Sequence, residues 1–262
     1  VNHFYAECSE AGLALLTILL FTLGALAILW LWERLAPAIR FERGSSDFGQ
    51  IYGGAIGTIF ALIYAFVIIA VWQNYDRVSA AVGQETNVLH NIYRNLDGYP
   101  AALGEPAKAD LRVYLEEVIH VEWPLLAEGR PDPAAHLRIT EFNRRLTCYR
   151  PEAQAGLPLH GQMLELMNQY RSLRQDRIKG AEAYLDPSMW ISLALGSVIL
   201  LLFSTLLNMA SRRQHYLMHG ALGASMGLVF FLLFVYNCPF LGPGAISPAP
   251  MRALAEDFRV PE

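Results

Sequence analysis

The sequence predicts an all-α integral membrane protein, with four transmembrane helices and a helical extramembrane insertion between the second and the third. Three observations predict it. The chain is 54% hydrophobic with a mean hydropathy of +0.28, too apolar for an ordinary soluble domain. Its apolar residues gather in four charge-free runs, each reaching the roughly 20 residues that cross about 30 Å of hydrocarbon. No stretch shows the polar–apolar alternation of a β-strand.

The first run, Ala11–Trp32 (AGLALLTILLFTLGALAILWLW), predicts a span over 11–33. It exceeds a typical signal-peptide core and follows Glu7 and Glu10 rather than a basic residue, so it is expected to be retained. Ile51 to Tyr75 carries no charge and predicts the second span, 51–75. Pro187–Ser211 predicts the third, 188–211, and the head of Tyr216–Met251 the fourth, 216–238. The organisation is then 1–75 for the first two spans, 76–186 for the insertion, 187–240 for the last two spans and 241–262 for a Pro/Gly-rich tail. In that tail Pro239, Pro243, Pro248 and Pro250 forbid a continued helix, and the EDFR segment allows only a short one.

The insertion reads as helices separated by proline-rich joints at 128–133 and 150–158. DLRVYLEEVIHVEWPLLAE (110–128) sets Leu111, Tyr114, Leu115, Val118, Ile119 and Glu122 at steps of three and four, one stripe of an amphipathic helix. Residues 133–149 repeat the pattern more weakly with Leu137, Thr140, Phe142 and Leu146. Residues 161–185 give a third helix with Leu164, Met167, Leu173, Ile178 and Ala181.

Several function classes find no support. The net charge of −4 gives no basic surface for nucleic acid. Cys8, Cys148 and Cys238 have neither metal-ligand nor redox spacing. No nucleotide, hydrolase or metalloprotease motif occurs, so no enzyme activity and no cofactor is expected. Glu116 and His120, at i and i+4, could share a metal ion, but no pattern supplies a third ligand; His136 and His160 are merely present. A solvated helix face is the plainer reading of that pair. His219 near the start of the fourth span, close to Arg212, Arg213 and His215, is expected at the membrane interface.

Gly53 and Gly57, and again Gly223 and Gly227, stand four apart, a spacing that lets spans approach backbone to backbone. Arg34, Arg40, Arg43, Arg212 and Arg213 in the short loops favour those loops inside and the insertion outside. Against this stand Arg171, Arg174, Arg177 and Lys179 in the membrane-proximal part of the insertion.

From Ile51 to about Leu96 nothing breaks a helix, so span two is expected to continue past the membrane for about 46 residues, roughly 70 Å. Gln73, Arg77, Gln84, Asn87 and Asn91 fall near one face; Asn74, Glu85, Leu89 and Ile92 fall near another. Such a helix suits the wall of a multi-helix stalk, or one stave of a water-filled vestibule built by several copies. In the second case Leu62, Phe66 and Ile69 would face the axis, and stacked apolar rings can gate by dewetting. Otherwise that stripe meets lipid or neighbouring helices. Glu85 as a ring would attract cations, and Arg77 anions; within a packed stalk Glu85 would instead bond an Arg or Tyr of the next helix.

These residues carry a resemblance. IFALIYAFVIIAVWQNYDRVSAAVGQETNVLHNIYR (59–94) is similar to the second span of the bestrophin-like family of bacterial membrane proteins. The resemblance continues through Glu122-Trp123, the arginine-rich helix ending at Arg177, Asp186-Pro187 with Trp190, and CPFLGPGAISPAP (238–250). It implies a distant likeness to bestrophins, pentameric ion channels whose second span lines the pore with an apolar neck above a helical vestibule. Asn74, Tyr75, Asp76 and Arg77 resemble the segment after that neck, but VSAAVGQE (78–85) replaces its tryptophan-rich continuation.

The resemblance thus implies a bacterial inner-membrane homo-oligomer passing small inorganic ions through the bilayer. The neck would be Leu62, Phe66 and Ile69, and the mouth and vestibule Gln73, Asn74, Arg77, Gln84 and Glu85. It also implies a cytoplasmic insertion, opposite to the arginine distribution. The alternative expectation is a non-conducting scaffold or sensor whose helical domain binds a partner or ligand.

Overall fold

A computed structural model describes residues 9–35, 46–151, 154–182, 184–207, 209 and 211–259. Cys8, Arg40 and Arg43 lie outside them. The described residues form helices and turns with no strand, and four of the helices are long and apolar enough to cross a membrane. The chain divides into two compact units, one of 1–73, 184–237 and 242–244, the other of 74–183, 238–241 and 245–262.

The first unit holds α1 (Glu10–Leu35), the apolar part of α2 (Ser46–Asn95), α7 (Pro187–Thr205) and α8 (Arg212–Asn237). The third charge-free run outlasts its helix. After Thr205 the chain tightens into a turn, with Leu206 N–H donating to Phe203 O (3.1 Å) and Leu207 N–H to Ser204 O (3.4 Å). The fourth helix starts ahead of its hydrophobic stretch, at Arg212. There Arg212 Nη2 pairs with Glu33 Oε2 (2.9 Å), and the Tyr216 hydroxyl donates to the same oxygen (3.0 Å).

Helices α1 and α8 run antiparallel, with glycines at their contact. A Cβ on Gly223 would stand 2.7 Å from Phe21 O and Ala25 Cβ; one on Gly227 would stand 2.7 Å from Ile18 Cα and 2.8 Å from Thr17 O. These are backbone contacts that cannot swing aside. The span-two pair differs. A Cβ on Gly53 would meet only the Phe203 ring, and one on Gly57 would come no nearer than 3.8 Å to Leu200. Gly57 is therefore not a close-approach position within this chain. It opens onto an apolar groove of about 630 Å³ that Phe203, Leu207 and Met226 also line.

Several polar groups inside this unit bond one another, as hydrocarbon surroundings favour. The Tyr64 hydroxyl bonds Ser197 Oγ (2.9 Å) and Leu193 O (3.0 Å). At the C-terminal end of α8, Asn237 accepts Leu185 N–H on Oδ1 (2.8 Å) and Tyr184 N–H on its carbonyl (3.1 Å), fixing the segment that leads into α7. His219 is packed inside the unit, 2% exposed, with Nδ1 2.6 Å from Ser204 Oγ.

The second unit holds the polar part of α2, α3 (Ala101–Glu117), a π-helical turn (Val118–Glu122), α4 (Trp123–Leu126), α5 (Pro133–Cys148), α6 (Leu157–Lys179) and α9 (Ala249–Asp257). Asp132 caps α5 by accepting the N–H groups of Ala134 (3.0 Å) and Ala135 (3.2 Å), and Pro133 starts the helix where its missing N–H costs nothing. The stripe Leu111, Tyr114, Leu115, Val118, Ile119 and Glu122 is buried throughout. On α5, Phe142 and Leu146 are buried as expected, but Leu137 is 69% exposed and Thr140 is exposed, and Ala135 and Ile139 complete the buried face. In the tail, Phe240 packs edge-on to Trp123, whose Nε1–H donates to Ile246 O (3.1 Å). The tail then forms α9, whose flanking Phe258 stacks on Tyr93 at 3.7 Å.

The glycine geometry makes a test. Gly227→Val forces a side chain into the α1 backbone and should destabilise the protein by about 1–3 kcal/mol, the usual cost of overpacking. Gly57→Ala should leave stability within about 0.5 kcal/mol. Thermal unfolding of the two detergent-solubilised variants checks the contrast.

Candidate functional site

Helix α2 is unbroken from Ser46 to Asn95, so its side chains sort by helical period alone. In its apolar part Leu62 (53% exposed), Phe66 (71%) and Ile69 (48%) recur at steps of four and three on the outside of the unit. In its polar part Arg77, Gln84, Asn87, Asn91 and Arg94 continue the exposed series at similar steps, with Gln73 exposed between the two sets. The opposite series, Asn74, Val78, Val82, Glu85, Leu89 and Ile92, is buried.

Two expected vestibule residues therefore change place. Asn74 is 7% exposed and Glu85 fully buried, so neither faces a lumen built from the outside of α2. The reason for Glu85 is an ion pair. Arg177 of α6 donates from Nε to Glu85 Oε2 (2.7 Å) and from Nη2 to Glu85 Oε1 (3.2 Å), a forked geometry that holds both oxygens. The same Nη2 donates to Glu122 Oε2 (2.9 Å), and Arg174 Nη2 donates to Glu122 Oε1 (2.5 Å). Two carboxylates thus face two guanidiniums inside the second unit.

The surroundings complete the cluster. Arg174 Nε donates to the Tyr114 hydroxyl (3.1 Å), which bonds the Tyr170 hydroxyl. The Arg177 guanidinium also stands 5.5 Å from the centre of the Trp123 ring, a cation–π contact beside its one unpaired nitrogen, Nη1. Burial pushes the Glu85 carboxyl upward against the pull of Arg177, and it raises the Tyr114 and Tyr170 hydroxyls, which stay neutral. Arg177 moves well above its ordinary range: burial, its largest single influence, pulls downward, but the attraction of Glu85, then Glu122, outweighs it.

The π turn makes Glu122 available. An i→i+5 turn inserts one residue into the helical count, so Glu122 and Trp123 both turn inward, at 0% and 7% exposure. Arg174 and Arg177 are core residues rather than a membrane-proximal basic surface. The signal that finds them is their phase: Met163, Met167, Tyr170, Arg174 and Arg177 follow one another at steps of four, three, four and three, all buried.

Glu116 and His120 are side by side (3.2 Å), and Arg259 takes the other oxygen of Glu116. His136 lies on α5, and His160 bonds the Tyr99 hydroxyl through Nδ1 (2.9 Å). Among the described residues no group of three His, Cys, Asp or Glu side chains is placed to share a metal ion.

Arg177→Met leaves Glu85 buried without its partner and strips Glu122 of one of two donors. It should cost about 3–5 kcal/mol, the usual effect of breaking a buried pair from one side. The double variant Glu85→Leu/Arg177→Met should recover a good part of that loss. Thermal unfolding of the single and double variants checks the coupling.

The chain matches the bestrophin-like domain over residues 19–251. No curated protein matches the sequence. Among solved structures, a bacterial bestrophin homologue from Klebsiella pneumoniae, as a single-substitution variant, superposes with a TM-score of 0.65 at 12% identity, covering 94% of this chain and 96% of that one. A second variant of that homologue gives 0.61 at 13% identity over 94% and 96%. A substituted form of a membrane protein gives 0.63 at 13% identity over 95% of each chain. At such identities the likeness is one of fold.

Proposed function

The chain belongs to the bestrophin-like family, and from that premise we propose that it assembles as a homo-pentamer in the bacterial inner membrane and passes small inorganic ions along an axis lined by α2. The observation that carries the reading is the outward series on α2. Large apolar side chains at 62, 66 and 69 give way, on one continuous helix, to polar ones at 73, 77, 84, 87 and 91. A ring of such staves would set an apolar constriction beside a wet mouth.

Leu62, Phe66 and Ile69 form the neck, whose stacked rings hold water out when narrow. Gln73, Arg77 and Gln84 line the mouth. Arg77 is the charged member of that set, so its ring favours anions. Asn74 and Glu85 support the stave from its packed side. The four spans of one copy leave little room for an aqueous path, so the axis depends on the assembly.

Reconstitution in planar bilayers tests this. Phe66→Ala and Ile69→Ala should each raise conductance several-fold by widening an apolar ring. Arg77→Glu should shift relative permeability toward cations. Equal flux from parent and neck variants, or none from any, together with a detergent-solubilised mass matching a dimer, would support the scaffold or sensor reading instead.

A further inference from the structure

On the second unit, between α5 and α6, lies a cavity of about 590 Å³, open to the surface, that has no part in the axis reading. Exposed His136, Thr140 and Arg171 line it together with buried Asp132, Asn143 and Arg174. Asn143 is 4% exposed, and its Oδ1 is buried without a partner. A buried acceptor left unpaired is costly, and such groups in native proteins mark a ligand or bound water. Arg174 reaches the same cavity. Its Nε and Nη2 are committed to Tyr114 and Glu122, which leaves Nη1 without a partner among the described residues. Arg171 lies on the wall with its guanidinium exposed and only a long contact (3.4 Å) to Asn168. Asp132 supplies a carboxylate on the same wall, and Ile139 and Ile178 an apolar surface.

We propose that this cavity binds a free α-amino acid with an aliphatic side chain. The charges select it. Arg171 and the spare nitrogen of Arg174 are donors suited to a carboxylate. The unpaired oxygen of Asn143 calls for a donor, which an α-ammonium supplies, and Asp132, whose oxygens already cap α5, adds negative charge beside it. The ligand as a whole is neutral, matching a wall with one uncompensated cation and one anion; a phosphate dianion would meet Asp132 with like charge. Ile139 and Ile178 receive the side chain. The site stands whether or not the chain conducts ions.

The test is a thermal-shift titration of the full chain in detergent with L-leucine. Leucinamide, which lacks the carboxylate, 4-methylpentanoate, which lacks the ammonium, and inorganic phosphate serve as comparisons. Leucine should raise the unfolding temperature saturably, and each comparison compound should bind at least tenfold more weakly. Arg171→Gln, an exposed position, and Asn143→Leu, which removes the unpaired oxygen, should unfold no earlier than the parent yet lose at least tenfold in leucine affinity. Absence of a leucine shift, an equal shift from 4-methylpentanoate or phosphate, or a shift unchanged in both variants would overturn the proposal.

Discussion

Glu85, Glu122, Arg174 and Arg177 share the interior of the second unit, and the arrangement of three helices follows from their pairing. Glu85 comes from α2, Glu122 from the π turn that ends α3, and both arginines from α6. Desolvating four charges is costly, and only near-complete pairing offsets it. Each carboxylate oxygen here receives at least one guanidinium N–H. Rotating or sliding one helix by a residue would leave a bare charge in the core. The cluster therefore fixes register, a task for which apolar packing alone is a tolerant instrument.

That register determines what α2 presents outward. With Glu85 turned inward toward Arg177, helical period places Gln84, Asn87 and Asn91 on the far side, where they are exposed. The face that carries the functional proposal is thus set by a group that never reaches it. Arg174 links the cluster to a second location, since one guanidinium serves both Glu122 and the cavity beside Asn143.

Much of this was legible in the residues. Four charge-free runs announce the spans because hydrocarbon leaves no alternative for so many apolar residues. The division of α2 into a Gln73, Arg77, Gln84 face and an Asn74, Glu85, Leu89 face is pure periodicity, and exposure follows it. What periodicity could not supply is the partner. Glu85 reads equally as a ring facing water or as half of an ion pair until α6 is placed beside it. Arg174 and Arg177 read as surface charge because charge is the usual mark of solvent, although their phase with Met163, Met167 and Tyr170 pointed inward. On α5, Phe142 and Leu146 point inward as read, but Leu137 is exposed, because the cap at Asp132 sets Ala135 and Ile139 on the core side. Gly57 shows the limit of spacing rules: four-residue separation matched Gly223 and Gly227, but only the latter pair meets a backbone.

An image of the assembled protein in lipid nanodiscs tests whether the exposed series of α2 faces a common axis. Five copies should surround a continuous path, narrowest at Leu62, Phe66 and Ile69, with Gln73, Arg77 and Gln84 lining the wider part and Glu85 hidden against Arg177. An assembly in which Phe66 and Ile69 face lipid, or in which the axis is filled by side chains along its whole length, would contradict it.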